Sequence, residues 1–231
     1  MPRGSRFLEI GCAAGDIGIT LSKYGYNGLM IDFSDEAGNE AVRNLKKENV
    51  KNVQFEKKDF FEINSGEKYD LITMFEVLEH IEEDKDALKK VNGLLNKKGM
   101  FLISVPAKAK LWGASDTIVG HIKRYEKEEV INLLNHSGFE VIKIFSYGFP
   151  WLNMVKHVRD KMAGRALKKG KGSDKTSLTK KSGLHISGRI PLLEVFFNKY
   201  LLFLPMRISS LFNNMDLAEG YLCLAKKRSN G

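Results

Sequence analysis

Cysteine is nearly absent. Only Cys12 and Cys223 occur in 231 residues, far apart in the chain, which excludes a disulfide framework and suits a reducing compartment. A long, pure apolar run is also missing. The nearest, IPLLEVFFNKYLLFLP from Ile190 to Pro205, is interrupted by Glu194, Asn198 and Lys199, so no membrane-spanning helix is expected. The opening MPRGSRFLEIG has no apolar stretch behind its basic residues, which excludes a signal peptide. These absences predict a cytoplasmic chain. Charge imbalance is missing from most of the sequence as well. Of the 37 Lys+Arg and 28 Asp+Glu, residues 156–189 hold 11 and 2, leaving 26 of each sign elsewhere. The net charge of +9 therefore belongs to one segment attached to a neutral domain.

What is present describes an ordinary globular chain, 43% hydrophobic and 28% charged, able to bury a core without staples. Short apolar runs alternate with helical patterns. RFLEIG, NGLMIDFS, NVQFEKKD, YDLITMF, GMFLISVP and FEVIKIFSYG read as six strands and the terminal GYLCLAKKR as a seventh. Between them DIGITLSKYG, DEAGNEAVRNLKKENV, EDKDALKKVNGLLNKKG and EKEEVINLLNHSG read as helices. The third of these carries Leu88, Val91, Leu94 and Leu95 on one stripe. Such alternation predicts a parallel sheet covered on both faces, with ligands at the carboxyl ends of its strands.

EIGCAAGD follows the first strand. Gly11 and Gly15 permit a tight turn and close approach of backbone to ligand. Small residues at 11, 13 and 15 fit, whereas a dinucleotide fingerprint would need one at 16, where Asp16 stands. Glu9 and Asp16 would repel a pyrophosphate but welcome an ammonium or sulfonium. Asp32 ends the second strand, where a carboxylate can grip a ribose diol. Its alternative role, starting the next helix, is already served by Ser34 and Asp35. Asp59 ends the third strand before Phe60, where an acid can accept from an adenine amino group and an aromatic can cover the ring; alone, Asp59 reads equally as a turn residue.

Together FLEIGCAAGDIGITLSKYG, MIDFS, KKDFF, YDLITMFEVLEHIEE, LLNKKGMFLISVPA and GHIKRYEKEEVINLLNHSGFEV resemble the class I S-adenosylmethionine-dependent methyltransferases over about residues 6–147 and the last strand. The resemblance implies a Rossmann-like α/β sheet of order 3-2-1-4-5-7-6 with strand 7 antiparallel. It also implies S-adenosylmethionine as cofactor, bound by Glu9, Gly11, Ala13 and Gly15, with Asp32 on the ribose and Asp59 and Phe60 on the adenine. The family usually places a helix before the first strand, whereas here the strand begins almost at Met1.

FEVLEHIEED follows the fourth strand. Glu76, Glu79 and His80 stand three and four residues apart, so a helix would present them on one face. The pattern is similar to one in small-RNA 2′-O-methyltransferases and quinone-biosynthesis O-methyltransferases, where it binds a divalent cation with a later histidine. That resemblance implies Glu76, Glu79, His80 and His121 as ligands of Mg²⁺ or Mn²⁺ that would orient a diol and acidify its hydroxyl. Two other readings stand beside it: His80 or His121 works directly as the catalytic base, or the stretch is structural. His121 lies in a long segment after the fifth strand together with Trp112, Arg124 and Tyr125.

The chain is expected to be one domain, with residues 149–218 as a basic and apolar insertion between strands 6 and 7. The insertion suits a lid over an apolar substrate, an anchor at an anionic membrane surface, or a nucleic-acid grip. Its aromatics are bunched with leucines rather than interleaved with lysines, which disfavours nucleic acid. The expected function is methyl transfer to oxygen, in preference to nitrogen, of a small or lipid-linked acceptor, peripheral to the membrane. The rivals are an RNA 2′-O-methyltransferase and a non-catalytic cofactor-binding subunit. The sequence does not fix the oligomeric state.

Overall fold

Glycines and acids bound the apolar runs, and each run becomes a strand. The computed structural model describes residues 1–64, 66–168 and 207–228. β1 (Arg6–Ile10) is buried after its first residue, and α1 (Asp16–Lys23) starts behind Gly15, whose φ of 80° is left-handed. β2 (Asn27–Asp32) leads to α2 (Asp35–Lys47), capped by Ser34, whose side chain accepts from the Ala37 N–H. β3 (Val53–Lys57), β4 (Tyr69–Phe75), α3 (Asp84–Leu94) and β5 (Leu95–Pro106) follow. The chain continues through α4 (Ala114–Val119), α5 (Lys127–His136), β6 (Phe139–Tyr147), α6 (Trp151–Lys168) and β7 (Gly220–Lys227).

The seven strands form one sheet in the order β3-β2-β1-β4-β5-β7-β6, as the resemblance implied. β1 to β5 run parallel, and β7 lies antiparallel between β5 and β6, with Cys223 opposite Ile103 and Ile144. On one side Phe7, Met30 and Leu71 meet Ile19 of α1 and Ala41 and Leu45 of α2. On the other Leu8, Ile72 and Phe101 meet Leu88, Val91 and Leu94 of α3 and Val130 and Leu134 of α5. The parallel strands all end at one edge, so the loops after β1, β2, β4 and β5 converge there.

Three sequence expectations need correction. The third helix stops at Leu94: Leu95 already pairs with Tyr69 across a register shift, so residues 95–99 open β5 instead of extending the helix. Asn92 and Gly93, both poor helix formers, precede that end. FEVLEHIEED is not an α-helix; only Leu78–His80 form a 3₁₀ turn. The long segment after β5 is partly ordered as a 3₁₀ turn, Ala109–Leu111, and α4. The insertion begins as α6, which packs on α4. It returns through residues 207–219, where Ser146 N donates to Asn213 O at 2.9 Å and the Ser146 hydroxyl accepts from Ala218 N at 3.0 Å. The basic tract beyond Lys168 and the run Ile190–Pro205 lie outside the described residues. Among those described, no helix is long and apolar enough to cross a membrane.

Two glycines predict opposite stability effects. A Cβ on Gly28 would overlap the ring of Phe7, which is 0% exposed, so Gly28→Ala is expected to destabilise by ~1–3 kcal/mol. A Cβ on Gly93, in α3, meets nothing within 4 Å, so Gly93→Ala is expected to stabilise by ~0.5–1 kcal/mol. Urea midpoints moving in opposite directions are the expected readout.

Candidate active site

The loop after β1 is fastened to β2. The N–H groups of Gly11 and Cys12 both donate to Ile31 O, at 2.9 and 3.0 Å, and Ala13 N donates to Asp32 Oδ2 at 3.0 Å. Gly11, Ala13 and Gly15 all have positive φ, of 70°, 46° and 80°. Ala13 is a non-glycine in the left-handed region, a cost that persists because the Asp32 bond holds it there. Asp32 Oδ1 accepts from Ser34 N at 2.9 Å. One backbone N–H on each oxygen leaves about two of a carboxylate's four acceptor positions open, which matches a diol. Partial burial raises the Asp32 pKa, opposed by the N–H groups of Ser34 and Ala13.

Glu9 lies beneath this loop rather than on its surface. It is buried and its Oε2 accepts from Gly18 N at 2.8 Å, tying β1 to α1. Burial pushes its carboxyl up to about 8. A Cβ at Gly18 would collide with Met30 and with that carboxylate, so Gly18 belongs to the same construction. The expected adenine pair is arranged differently from the sequence expectation. Asp59 caps the 3₁₀ turn Phe60–Glu62 by accepting from Phe61 N, while Phe60 is 6% exposed and packs in the core. The exposed rings at this edge are Phe61 and Phe33, each 46% exposed. Phe33, directly after Asp32, was not among the residues expected from the sequence; an apolar residue just after a strand-ending acid is the signal that could have found it.

The turn after β4 separates the acids that a helix would have aligned. Glu76 has φ 53°, and its Oε1 accepts from Ser104 Oγ at 2.7 Å and Tyr147 OH at 2.9 Å. Glu79, on the 3₁₀ turn, points inward. It is 0% exposed, and neither carboxylate oxygen has a hydrogen-bond partner among the described residues. Burial, then the charge of Glu76, raises its pKa well above the ordinary value. One ligand atom from each of Glu79, His80 and His121 lies within 4.8 Å of the others. Three of the four implied metal ligands therefore converge; Glu76 stands outside this group, held by Ser104 and Tyr147.

The two imidazoles stand edge to face, with ring centroids 5.0 Å apart. His80 Nδ1 lies 3.1 Å from Gly120 O. A carbonyl only accepts, so Nδ1 carries the proton and Nε2 the lone pair. Burial, with the neighbouring His121, depresses the His80 pKa to about 4, so this ring is neutral at pH 7. His121 Nδ1 lies 2.9 Å from Asp116 Oδ1, and its Nε2 lies 3.6 Å from Glu79 Oε1. Ile122 N donates to the Glu79 backbone oxygen at 2.9 Å, which fixes the α4 segment beside the 3₁₀ turn.

Asp116, Ser104 and Tyr147 were not among the residues expected from the sequence. Nothing local marks Asp116 as different from any helix-start acid; one of its partners, Lys156, reaches it from α6, forty residues on. Arg124 and Tyr125, read as neighbours of the catalytic rim, are structural. Arg124 is buried on Asp116, and Tyr125 is 0% exposed, its hydroxyl donating to Leu78 O at 3.3 Å. Trp112 is 43% exposed.

Comparison with known proteins agrees with this geometry. A family profile described as a methyltransferase domain matches residues 1–144. The ubiquinone biosynthesis O-methyltransferase of Rickettsia bellii is 26% identical over 147 residues, covering 58% of this chain and 61% of the relative. Nodulation protein S of Azorhizobium caulinodans is 32% identical over 111 residues, covering 46% and 52%. The chain thus spans less than two thirds of the length of these relatives. Among solved structures, the N-methyltransferase NodS of Bradyrhizobium japonicum, in complex with S-adenosylhomocysteine, superposes with TM-score 0.52 at 23% identity, covering 63% of this chain and 71% of that one. The cyclase SpnF superposes with TM-score 0.64 at 14% identity over 99% of this chain and 76% of its own. These structural likenesses concern the fold, which SpnF shows can serve other chemistry. With the family profile covering residues 1–144, more than half of its length, the chain belongs to the class I S-adenosylmethionine-dependent methyltransferases.

Proposed function

We propose that this methyltransferase acts on an oxygen, in preference to a nitrogen, of a small or lipid-linked acceptor, aided by Mg²⁺ or Mn²⁺ at Glu79, His80 and His121. The observation that carries the reading is the Glu79 carboxyl, fully buried, without a hydrogen-bond partner among the described residues, and grouped with two imidazoles. Isolated buried polar groups are costly, and a cation would satisfy the carboxylate and both ring nitrogens at once. Each ring already donates its Nδ1–H to a carbonyl or carboxylate, the usual support of a metal-ligating histidine.

When bound, the sulfonium supplies the electrophilic methyl group, and a divalent ion at this group would lower the pKa of an acceptor hydroxyl. The protein's own residues do the rest. Gly11, Ala13 and Gly15 shape the loop, Glu9 holds it to α1, and Asp32 offers its open acceptor positions to a ribose diol. Phe33 and Phe61 supply exposed rings for a flat base. The neutral His80 and the His121 ring provide lone pairs at the end of β4. The match to an O-methyltransferase of Rickettsia bellii supports the choice of oxygen.

The acceptor's apolar character and a membrane location rest on α6. Its protein-facing side is ionic, with Lys156 only 5% exposed, while its outer side carries Met154, Val155, Val158 and Met162 at 61, 49, 56 and 60% exposed. These four recur at helical spacing, beside Lys161, Arg165 and Lys168, at the start of the segment that holds the whole charge excess. An apolar stripe with flanking cations suits an anionic bilayer surface.

Asp32→Ala is expected to weaken S-adenosylhomocysteine binding by ~1.5–3 kcal/mol, the value of a charge-assisted hydrogen bond, with no tight NAD binding in either protein. Calorimetry decides. With labelled methyl donor and a catechol as acceptor probe, chelator is expected to stop turnover and Mg²⁺ or Mn²⁺ to restore it, but not in Glu79→Gln. Full turnover in chelator would transfer the work to His121 or His80 as base, worth ~10²–10⁴-fold. The chain is also expected to cosediment with anionic vesicles at ~0.1 M salt and to be released at ~1 M, as the Debye length falls from ~10 to ~3 Å. Retention of full binding by a Met154→Glu, Met162→Glu double variant would remove α6 from the contact.

A further inference from the structure

Asp116 collects more donors than any ordinary helix-start acid. It lies in the first turn of α4 and is 1% exposed. Its Oδ1 accepts from Arg124 Nε at 2.9 Å, lies 2.8 Å from Arg124 Nη2 and faces His121 Nδ1 at 2.9 Å. Its Oδ2 accepts from Gly113 N at 2.8 Å and from Lys156 Nζ at 3.1 Å. Two cations, the Arg124 guanidinium and the Lys156 ammonium, thus lie on one buried carboxylate and match its negative charge. An ionised carboxylate only accepts, so the His121 nitrogen facing it must be the protonated one.

The second cation on this carboxylate comes from a distant part of the chain. Lys156 belongs to α6 in the insertion, 5% exposed, and is shared with Asp160 at 3.0 Å. Asp160 in turn accepts from Ser115 N at 3.0 Å and from the Ser115 hydroxyl, clamping α6 to the start of α4. A buried lysine on the inner side of a helix whose outer side is apolar reverses the ordinary pattern. That reversal has a reason if the inner side is there to complete the carboxylate.

We propose that Asp116 is the positioning residue of the active site: held by Arg124 and by Lys156 of α6, it fixes His121 as the Nδ1–H tautomer with the Nε2 lone pair turned to Glu79. The insertion is then part of the active-site scaffold and not merely a cover for it. This rests on the proposed use of His121, yet the tautomer can be read without metal, acceptor or turnover. Loss of an outer partner of a metal-ligating histidine typically costs ~10–100-fold in metal affinity. Binding of S-adenosylhomocysteine, whose loop Asp116 does not touch, should be unchanged.

The test uses the full chain with ¹⁵N-labelled histidine. In the wild type, ¹⁵N shifts at neutral pH are expected to show the His121 ring protonated at Nδ1. In Asp116→Asn the Nε2–H form is expected to appear, and Mn²⁺ affinity, followed by electron paramagnetic resonance, to fall ~10–100-fold. Lys156→Met should move both readouts in the same direction and Lys156→Arg should restore them, with thermal unfolding confirming a folded protein in each case. Asp116→Asn leaves Arg124 and Lys156 facing a neutral group; should it fail to fold, the Lys156 pair and the wild-type tautomer decide. A wild-type His121 protonated at Nε2 overturns the proposal. So does an unchanged tautomer in folded Asp116→Asn or, where that variant does not fold, in Lys156→Met. Absence of Mn²⁺ binding in the wild type would overturn the metal reading alone, and the tautomer would still decide the role of Asp116.

Discussion

A carboxyl with no hydrogen-bond partner among the described residues sits at the end of the central strands, and much of the surrounding architecture follows from it. Glu79 is fully buried, near Glu76, and faced by the rings of His80 and His121. In a dry environment such a group either stays protonated or is matched by positive charge. Both rings have one nitrogen committed elsewhere, His80 to a backbone carbonyl and His121 to Asp116. The free lone pairs are therefore fixed by the scaffold before any ligand arrives. That is preorganisation of the kind that lets a site bind a cation or take a proton without rearranging.

The edge formed by the loops after β1 and β2 follows a different logic. Three positive-φ residues in the loop after β1 are held by bonds to β2, and Asp32 both fastens the loop and keeps acceptor positions open. Its acids serve different purposes. Glu9 is buried structure, raised to about 8 by its surroundings, whereas Asp32 is only half-buried at the end of β2. The two edges meet where Val77, just before the 3₁₀ turn, packs against Gly11: a Cβ at that glycine would strike Val77. The loop after β1 and the turn that carries Glu79 are thus in direct contact.

α6 joins the site to the exterior. Its ionic inner side reaches Asp116, and its apolar outer side faces away from the protein. In most surface helices the apolar stripe faces the core and the charges face water. Here the stability of the attachment comes from ion pairs, Lys156 with Asp116 and Asp160, and Arg159 with Glu219. The buried pair among them, Lys156 with Asp116, is sensitive to loss of either partner. An insertion fastened in this way places Lys156 of α6 on the same carboxylate that faces His121.

The sheet, its strand order once the family resemblance was seen, the tight glycine turn after β1 and the acid that ends β2 were all legible in the amino-acid order. They were legible because these signals are local: apolar runs of strand length, turns that need small residues, an acid at a strand's end. Spacing and resemblance also brought Glu79, His80 and His121 together. Folding in three dimensions was needed to draw Glu76 away to Ser104 and Tyr147, and to make Phe60 core while Phe61 and Phe33 stay exposed. It was needed too for Leu95 to open a strand instead of extending a helix. Asp116 was illegible for the same reason. Its role depends on Lys156 of α6 as well as on the nearer His121 and Arg124, and no local pattern records a partner forty residues away. Periodicity reports which side of an element is apolar; which charges meet beneath it is settled by packing.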